Sequence, residues 1–336
     1  MTVTVIVPSF QRPDDLAAGL DALCRGSRVP DQVVVILRDR DRASHEALAA
    51  WRQQAGACAQ RVELAEVCEP GQVAATNAGL PLARGEIICF TDDDCQPTAT
   101  WLERILSHYD DPGVVGVGGR DIVHQGDAIE AEPAPVVGRL TWCGRMTGNH
   151  HQPGFDDPRE VDYLKGANMS FRREAVLGFD PNLVGAHFSD TDASLSARAY
   201  GGKLIYDPLA TVDHYPAPRL SGHARASTSA QEVFADAHDW AYVMWKHLSP
   251  VGRAGFLPFA LLVGQDRRWG LLRMLLALPR GPLAAVRCWW ASLRGIVAGI
   301  QTCRRASASH SGVALRKPSD GAPGLRSHSR AEGGSH

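Results

Sequence analysis

The chain of 336 residues has no CxxC pair among its eight cysteines, no GxxxxGK[ST] loop and no internal repeat. Cys24, Cys58, Cys68, Cys89, Cys95, Cys143, Cys288 and Cys303 are scattered, which excludes a zinc ribbon, argues against a small disulfide scaffold and makes a reducing compartment the simplest setting. The phosphate loop is missing, and GVGGR at 116–120 is too short and wrongly placed for a dinucleotide fingerprint. The start MTVTVIVPSF has no cationic leader and no cleavable small-residue site, so it reads as a strand and a cytoplasmic location is expected. The net charge of −2 offers no overall basic excess, and no nucleic-acid partner is expected. What is present is a 44% hydrophobic composition, enough for one substantial core with an appendage.

Short β-branched runs occur at VTVIV (3–7), VVVIL (33–37), VELAEV (62–67), EIICF (86–90) and VVGVGG (114–119), with amphipathic stretches between most of them. That alternation predicts an α/β fold with a mostly parallel sheet covered by helices. PDDLAAGLDAL begins with Pro13 and two acids suited to a helix start, and sets Leu16, Leu20 and Leu23 on one face. Residues 125–160, rich in Pro, Gly, Asp and His, read as a long loop or insertion. The main α/β unit is therefore expected over 1–216, a helical region over 217–303 and a disordered tail over 304–336.

FTDDDCQP, residues 90–97, sets Asp92, Asp93 and Asp94 side by side after an apolar run. Helix capping does not account for them, because Thr100 and Glu103 fit a capping box for the next helix. A solvated acidic turn is the plain alternative, but the triplet stands at the carboxyl end of an expected central strand, where open α/β sheets place ligands. Adjacent carboxylates resist ionising unless a cation sits among them. A hard divalent ion, Mg²⁺ or Mn²⁺, meets that need and leaves positions for a diphosphate.

In this order the segments resemble the family 2 glycosyltransferases, inverting nucleotide-sugar enzymes with the GT-A fold. VTVIVPSFQRPDDL is similar to the opening strand and nucleotide loop, NAGLPLARGEIICFTDDD to the approach to the DxD motif, and KGANMSFRRE to the acceptor-side segment. SDTDASLSARAYGGKLIYDPLATVDHYP resembles the ED motif, its helix and the closing strand, so the likeness runs over about residues 2–216. It implies that Pro8, Ser9, Phe10 and Arg12 line the nucleotide pocket, that Asp94 is the direct metal ligand, and that Asp92 or Asp93 faces the ribose and donor sugar. Asp92 and Asp94 fill the two D positions, and His214 matches a histidine that completes the metal shell in some members. Asp190 matches the catalytic base. Ser189 and Asp192 also fit a capping box, which gives Asp192 a structural task and leaves Asp190 free for the cleft.

Departures from the pattern bear on specificity. LRDRDR replaces the usual base-reading acid, so Asp39 or Asp41 is expected to substitute; Ser189 stands where glutamate is frequent, and Gln11 where asparagine is. The resemblance implies a UDP-, GDP- or dTDP-linked donor and a glycan or lipid-linked acceptor, with a role in envelope glycan synthesis. Asn168 in GANMS is either a hydrogen-bond partner on the acceptor side or part of a turn. A nucleotidyltransferase would need a Gly-rich opening loop that PSFQRP lacks, whereas a non-catalytic nucleotide-sugar-binding protein is opposed by the intact Asp94 and Asp190.

After Gly255 the chain is apolar, yet Arg267, Arg268, Arg273, Arg280, Arg287 and Arg294 interrupt it before any run reaches the ~20 residues of a spanning helix. Pro279 and Pro282 divide it into at least two helices. A basic helix bearing Trp289 and Trp290 fits peripheral attachment at a membrane face through 254–303; a helical pair packed on the catalytic unit is the alternative.

Overall fold

The computed structural model describes residues 1–125, 128–129, 132–185, 187–216 and 229–310. Strands β1 (Val3–Ser9), β2 (Gln32–Arg38), β3 (Val62–Val67) and β4 (Ile87–Phe90) alternate with helices α1 (Pro13–Arg25), α2 (Arg42–Gln54) and α3 (Gln72–Gly79). Then come β5 (Cys95–Pro97), α4 (Trp101–Ser107), β6 (Val114–Gln125) and β7 (Ala128–Ile129). The insertion carries a small hairpin, β8 (Arg139–Leu140) with β9 (Met146–Thr147), before β10 (Arg159–Val161) and β11 (Met169–Arg172). Helix α5 (Ser189–Ala199) and β12 (Lys203–His214) close the sheet.

One mixed sheet runs β10-β12-β6-β11-β4-β1-β2-β3, with β5 on β12 and β7 on β6. Strands β4, β1, β2 and β3 are parallel, as expected, but β11 is antiparallel to both neighbours, β4 and β6. The strand period explains the two-sided core. Val3, Val5, Val33, Val35 and Leu37 pack on one face with Leu16, Leu20, Leu23 and Trp101, while Ile6, Val34, Ile36 and Ile88 pack on the other with α3 and α5 residues. Helix α1 has Pro13 in its first turn and buries Leu16, Leu20 and Leu23, as the sequence predicts.

Two local expectations fail. Thr100 precedes α4 but makes no side-chain cap, and Glu103 accepts instead from the Ser27 hydroxyl at 2.6 Å. Phe188, not Ser189, is the cap residue of α5, and Asp192 is held instead by Lys246 at 2.8 Å and His247 at 2.7 Å. The structural task of Asp192 is real, with partners far away in sequence. Cysteine usage is also corrected: Cys24 and Cys58 form a disulfide that ties the end of α1 to the segment before β3.

The C-terminal region comprises α6 (Ala230–His247), α7 (Pro250–Pro258), a π-helical turn (Phe259–Val263), the hairpin β13 (Gly264–Gln265) and β14 (Arg268–Trp269), α8 (Leu271–Ala277) and α9 (Pro282–His310). Trp240, Ala241, Met244 and Phe256 share a buried cluster with Tyr163, Leu183, Phe188 and Leu195, so this region shares a core with the catalytic unit. Helix α9 turns a small-residue face onto α6: a Cβ at Gly295 would lie 2.5 Å from the Phe234 carbonyl oxygen. It runs to His310, beyond the expected start of the tail, whose remainder from residue 311 lies outside the described residues. Among the described residues α9 is the one helix long and apolar enough to cross a membrane, by length and composition only.

Candidate active site

Register decides which loops meet. Strands β1 and β4 are parallel with Ile6 opposite Phe90, so the loop 8–12 and the acidic triplet leave the sheet side by side. Arg12 donates to Asp93 at 2.9 Å and to Asp94 at 2.7 Å. A guanidinium therefore holds two of the three carboxylates together, a task the sequence reading had given to a metal alone. Backbone N–H groups complete the loop: Phe10 donates to Asp93 at 3.4 Å, and Gln11 to Asp41 at 2.6 Å. Gln11 has φ 56°, a left-handed conformation that asparagine tolerates better, which rationalises the asparagine often found there.

Strand β12 brings His214 opposite Cys95, and the imidazole Nε2 lies 3.4 Å from Asp94. Donor atoms of Asp94, Cys95 and His214 all fall within 4.8 Å of one another. His214 Nδ1 is buried without a hydrogen-bond partner. Burial, reinforced by nearby acids, raises the Cys95 thiol well above its ordinary value, and a soft sulfur is a poor match for a hard ion. Carboxylate and imidazole suit Mn²⁺ or Mg²⁺, and the residues fit such an ion.

The three acids differ in surroundings. Asp92 faces the cleft and accepts from Gln72 at 3.0 Å, whereas Asp93 and Asp94 are buried. Burial first, and then the Asp94 and Asp93 charges, raise the Asp92 carboxyl against the opposing charge of His214. Burial opposes protonation of His214, yet its bond to Asp94 and the surrounding carboxylates raise it overall.

A cleft of about 490 Å³ joins this corner to Asp190. Pro8, Asp92, Lys165 and Asp190 all line it. Asp190 stands in the first turn of α5 and accepts from Gly166 N–H at 3.1 Å and Thr191 N–H at 2.7 Å. Burial raises its carboxyl above the ordinary range, against those two donors and the Lys165 and His187 charges. Two predicted pocket residues stay on the outside: Phe10 is exposed with Arg38 5.5 Å over its ring, and Asp39 is exposed beside Arg40. Ser9 is buried at the end of β1. Asp41, the alternative to Asp39, is buried and caps α2 through Ser44.

Asn168 is corrected. Its amide is buried, accepts from Trp101 at 2.8 Å and donates to the Ala210 carbonyl at 2.9 Å, so it staples α4 to β12 and offers nothing to an acceptor. Residues that sequence reasoning passed over include Asp121, in the second half of β6, and Lys165, whose ammonium lies 3.2 Å from it. Burial works against the Lys165 charge, but Asp121 and Asp190 raise its pKa overall. The signals available were a lone acid in a buried glycine-rich strand and the lysine opening KGAN. Asp236, Gln265 and Arg267 also line the cleft, from the C-terminal helical region.

The glycosyl transferase family 2 model matches residues 4–177, just over half of the chain. The chain belongs to glycosyl transferase family 2. It is 27% identical over 146 residues to the glucosyl-dolichyl phosphate glucuronosyltransferase of Haloferax volcanii, a match covering 40% of this chain and 45% of that protein. The matches span less than half the length of the curated relatives. Among solved structures, S. aureus TarS 1-349 in complex with UDP-GlcNAc is similar with a TM-score of 0.55 and 14% identity, over 92% of each chain. GalNAc-T7 with UDP, GalNAc and Mn²⁺ is similar with a TM-score of 0.52 and 15% identity, over 92% of this chain and 58% of that one. These family 2 and GT-A likenesses agree in fold with the curled mixed sheet and its helical C-terminal region.

Proposed function

We propose that this family 2 chain transfers a sugar from a nucleoside diphosphate to an acceptor hydroxyl with inversion at the anomeric carbon. The supporting observation is that one cleft is lined by both Asp92, from the acid triplet, and Asp190, an oriented carboxylate in the first turn of α5. Family membership and the nucleotide-sugar complex of TarS support the donor class. The Mn²⁺ in the GalNAc-T7 structure supports a divalent ion.

Asp190 takes the proton of the acceptor hydroxyl as its oxygen bonds to the anomeric carbon, and the bond from that carbon to the diphosphate oxygen breaks on the opposite face. The electron pair leaves with the nucleoside diphosphate, so no covalent enzyme intermediate is required. Gly166 and Thr191 N–H groups fix the Asp190 carboxylate, and a pKa raised by burial makes it a stronger base once ionised. Lys165 brings a fixed positive charge to the same cleft. Asp94 and His214 would hold the ion, with Asp92 on its cleft side; when bound it supplies Lewis-acid neutralisation of charge on the departing diphosphate. Pro8 lines the donor end.

The acceptor is a glycan or a lipid-linked molecule, and the dolichyl phosphate in the haloarchaeal relative's name supports the second. Peripheral contact of the C-terminal region with a membrane goes with that choice. Asp190→Asn is expected to lower turnover by about 10²-fold or more, while UDP or GDP with Mn²⁺ still raises the melting temperature. Normal turnover in that variant would remove the base assignment; absence of nucleotide stabilisation in the wild type would remove the donor site.

A further inference from the structure

Two acids of the triplet share one guanidinium nitrogen. Asp93 and Asp94 are both buried, and Arg12 Nη1 donates to Asp93 Oδ1 at 2.9 Å and to Asp94 Oδ2 at 2.7 Å. The Asp94 carboxylate is divided: its other oxygen, Oδ1, lies 3.4 Å from His214 Nε2. Arg12 itself does not line the cleft. It stands at the start of α1, where its carbonyl accepts from the Leu16 N–H at 3.0 Å. Whatever binds in the cleft therefore feels this arginine through the carboxylates and not by contact.

Adjacent buried carboxylates without a counter-charge are costly, so Arg12 meets the demand that the triplet makes in the absence of any ligand. The other cation nearby, Lys165, is engaged by Asp121 at 3.2 Å. A divalent ion held by Asp94 and His214 shares the Asp94 carboxylate with the guanidinium, one on each oxygen, and two cations on one carboxylate repel. Each weakens the hold of the other. A diphosphate changes the balance, because it brings negative charge and further oxygen ligands to the ion.

We propose that Arg12 is a positioning residue that stands in for the divalent ion: alone it keeps Asp93 and Asp94 neutralised and in place, and beside the ion it lowers the corner's affinity, so that the ion is held firmly only when a diphosphate shares it. The inference rests on the transferase reading of the cleft and adds a residue that makes the ion arrive and leave with the nucleotide. When the nucleoside diphosphate departs, Arg12 is again the counter-charge of both acids, and the corner stays formed for the next donor.

The test is Mn²⁺ binding to the full chain without a sugar donor, read from loss of the free-ion electron paramagnetic resonance signal, together with thermal melting in Mn²⁺ or in EDTA. The wild type melts at nearly the same temperature in both, and UDP or GDP tightens its hold on Mn²⁺ about tenfold or more. Arg12→Gln melts lower in EDTA, recovers in Mn²⁺ and binds Mn²⁺ alone about tenfold more tightly than the wild type. Arg12→Lys, which keeps the charge, stays closer to the wild type in both measurements. Asp94→Asn added to Arg12→Gln removes the recovery, which locates the ion's effect at this corner. An arginine with a merely structural task moves the melting temperature in EDTA and Mn²⁺ alike and leaves ion affinity unchanged. Arg12→Gln that binds Mn²⁺ no more tightly than the wild type, or that melts equally low with and without it, would overturn the inference. So would a variant that does not fold even in Mn²⁺, because guanidinium and ion are then not interchangeable. Thermal stabilisation of the wild type by UDP or GDP with Mn²⁺ reports the donor site separately, so failure here leaves the transferase reading standing.

Discussion

Lys246→Met removes a cation that touches no reacting group, yet it should weaken both the fold and the reaction. Lys246 donates to Asp180 and Asp192 at 2.8 Å each, and so ties α6 to the segment before α5 and to α5 itself. Burial pushes the Asp180 carboxyl up, but Lys246, Tyr242 and the Asn182 N–H outweigh it and hold the group down at about 2. Against an ordinary aspartate at 3.8 this gap is worth about 2 kcal/mol at neutral pH. Lys246 is one of three donors and its side chain is 32% exposed, so solvent screening leaves about 1 kcal/mol as its share. The sign follows from a depressed acid: the stabilisation is complete above pH 3.8 and is lost as pH falls through about 2. Urea denaturation of wild type and Lys246→Met should therefore differ by about 1 kcal/mol at pH 7 and converge toward pH 2. Turnover should fall with KM for the donor unchanged, because α5 carries Asp190 and loses one tether. A stability difference that stays constant down to pH 2 would refute the electrostatic account and leave only lost packing.

The acid limb of kcat/KM should fall at a pH above the ordinary aspartate value of 3.8, since Asp190 must be ionised to act and burial raises its carboxyl; a limb at or below that value would exclude Asp190 as the group observed. Cys58→Ser opens a loop of sequence separation 34, for which loop-closure entropy gives a loss of about 3–4 kcal/mol. Denaturant midpoints with and without reductant check this, and a wild type indifferent to reductant would show that the bridge contributes nothing.

Much of the sheet was legible because strand period and apolar runs are local properties. The five runs expected as strands all form strands, and Pro13 with Asp14 and Asp15 starts a helix where those residues should. Proximity across the sheet was not legible. Thr100 and Glu103 have the spacing of a capping box, but Ser27, 76 positions before Glu103, takes the glutamate. Asn168 looked like a turn or acceptor residue, yet Trp101 and Ala210 claim its amide from two other elements. The triplet suggested a cation, and the structure supplies one in Arg12, 81 positions before Asp93. The cleft wall from residues 265–268 was hidden for the same reason: GQDRR has no period, and its neighbours Met146, Phe188 and Trp240 are far away in sequence.

The antiparallel β11 has a consequence for synthesis on the ribosome. Its four residues pair with β4 on one side and three of them with β6 on the other, so β4 keeps a bare edge from the time Phe90 emerges until Met169 to Arg172 have followed. Through that interval of nearly eighty residues the nascent chain offers an unpaired, fully apolar ribbon to any neighbour. Slowing translation just after β4 should therefore favour inclusion bodies, whereas a pause placed beyond residue 172 should be harmless.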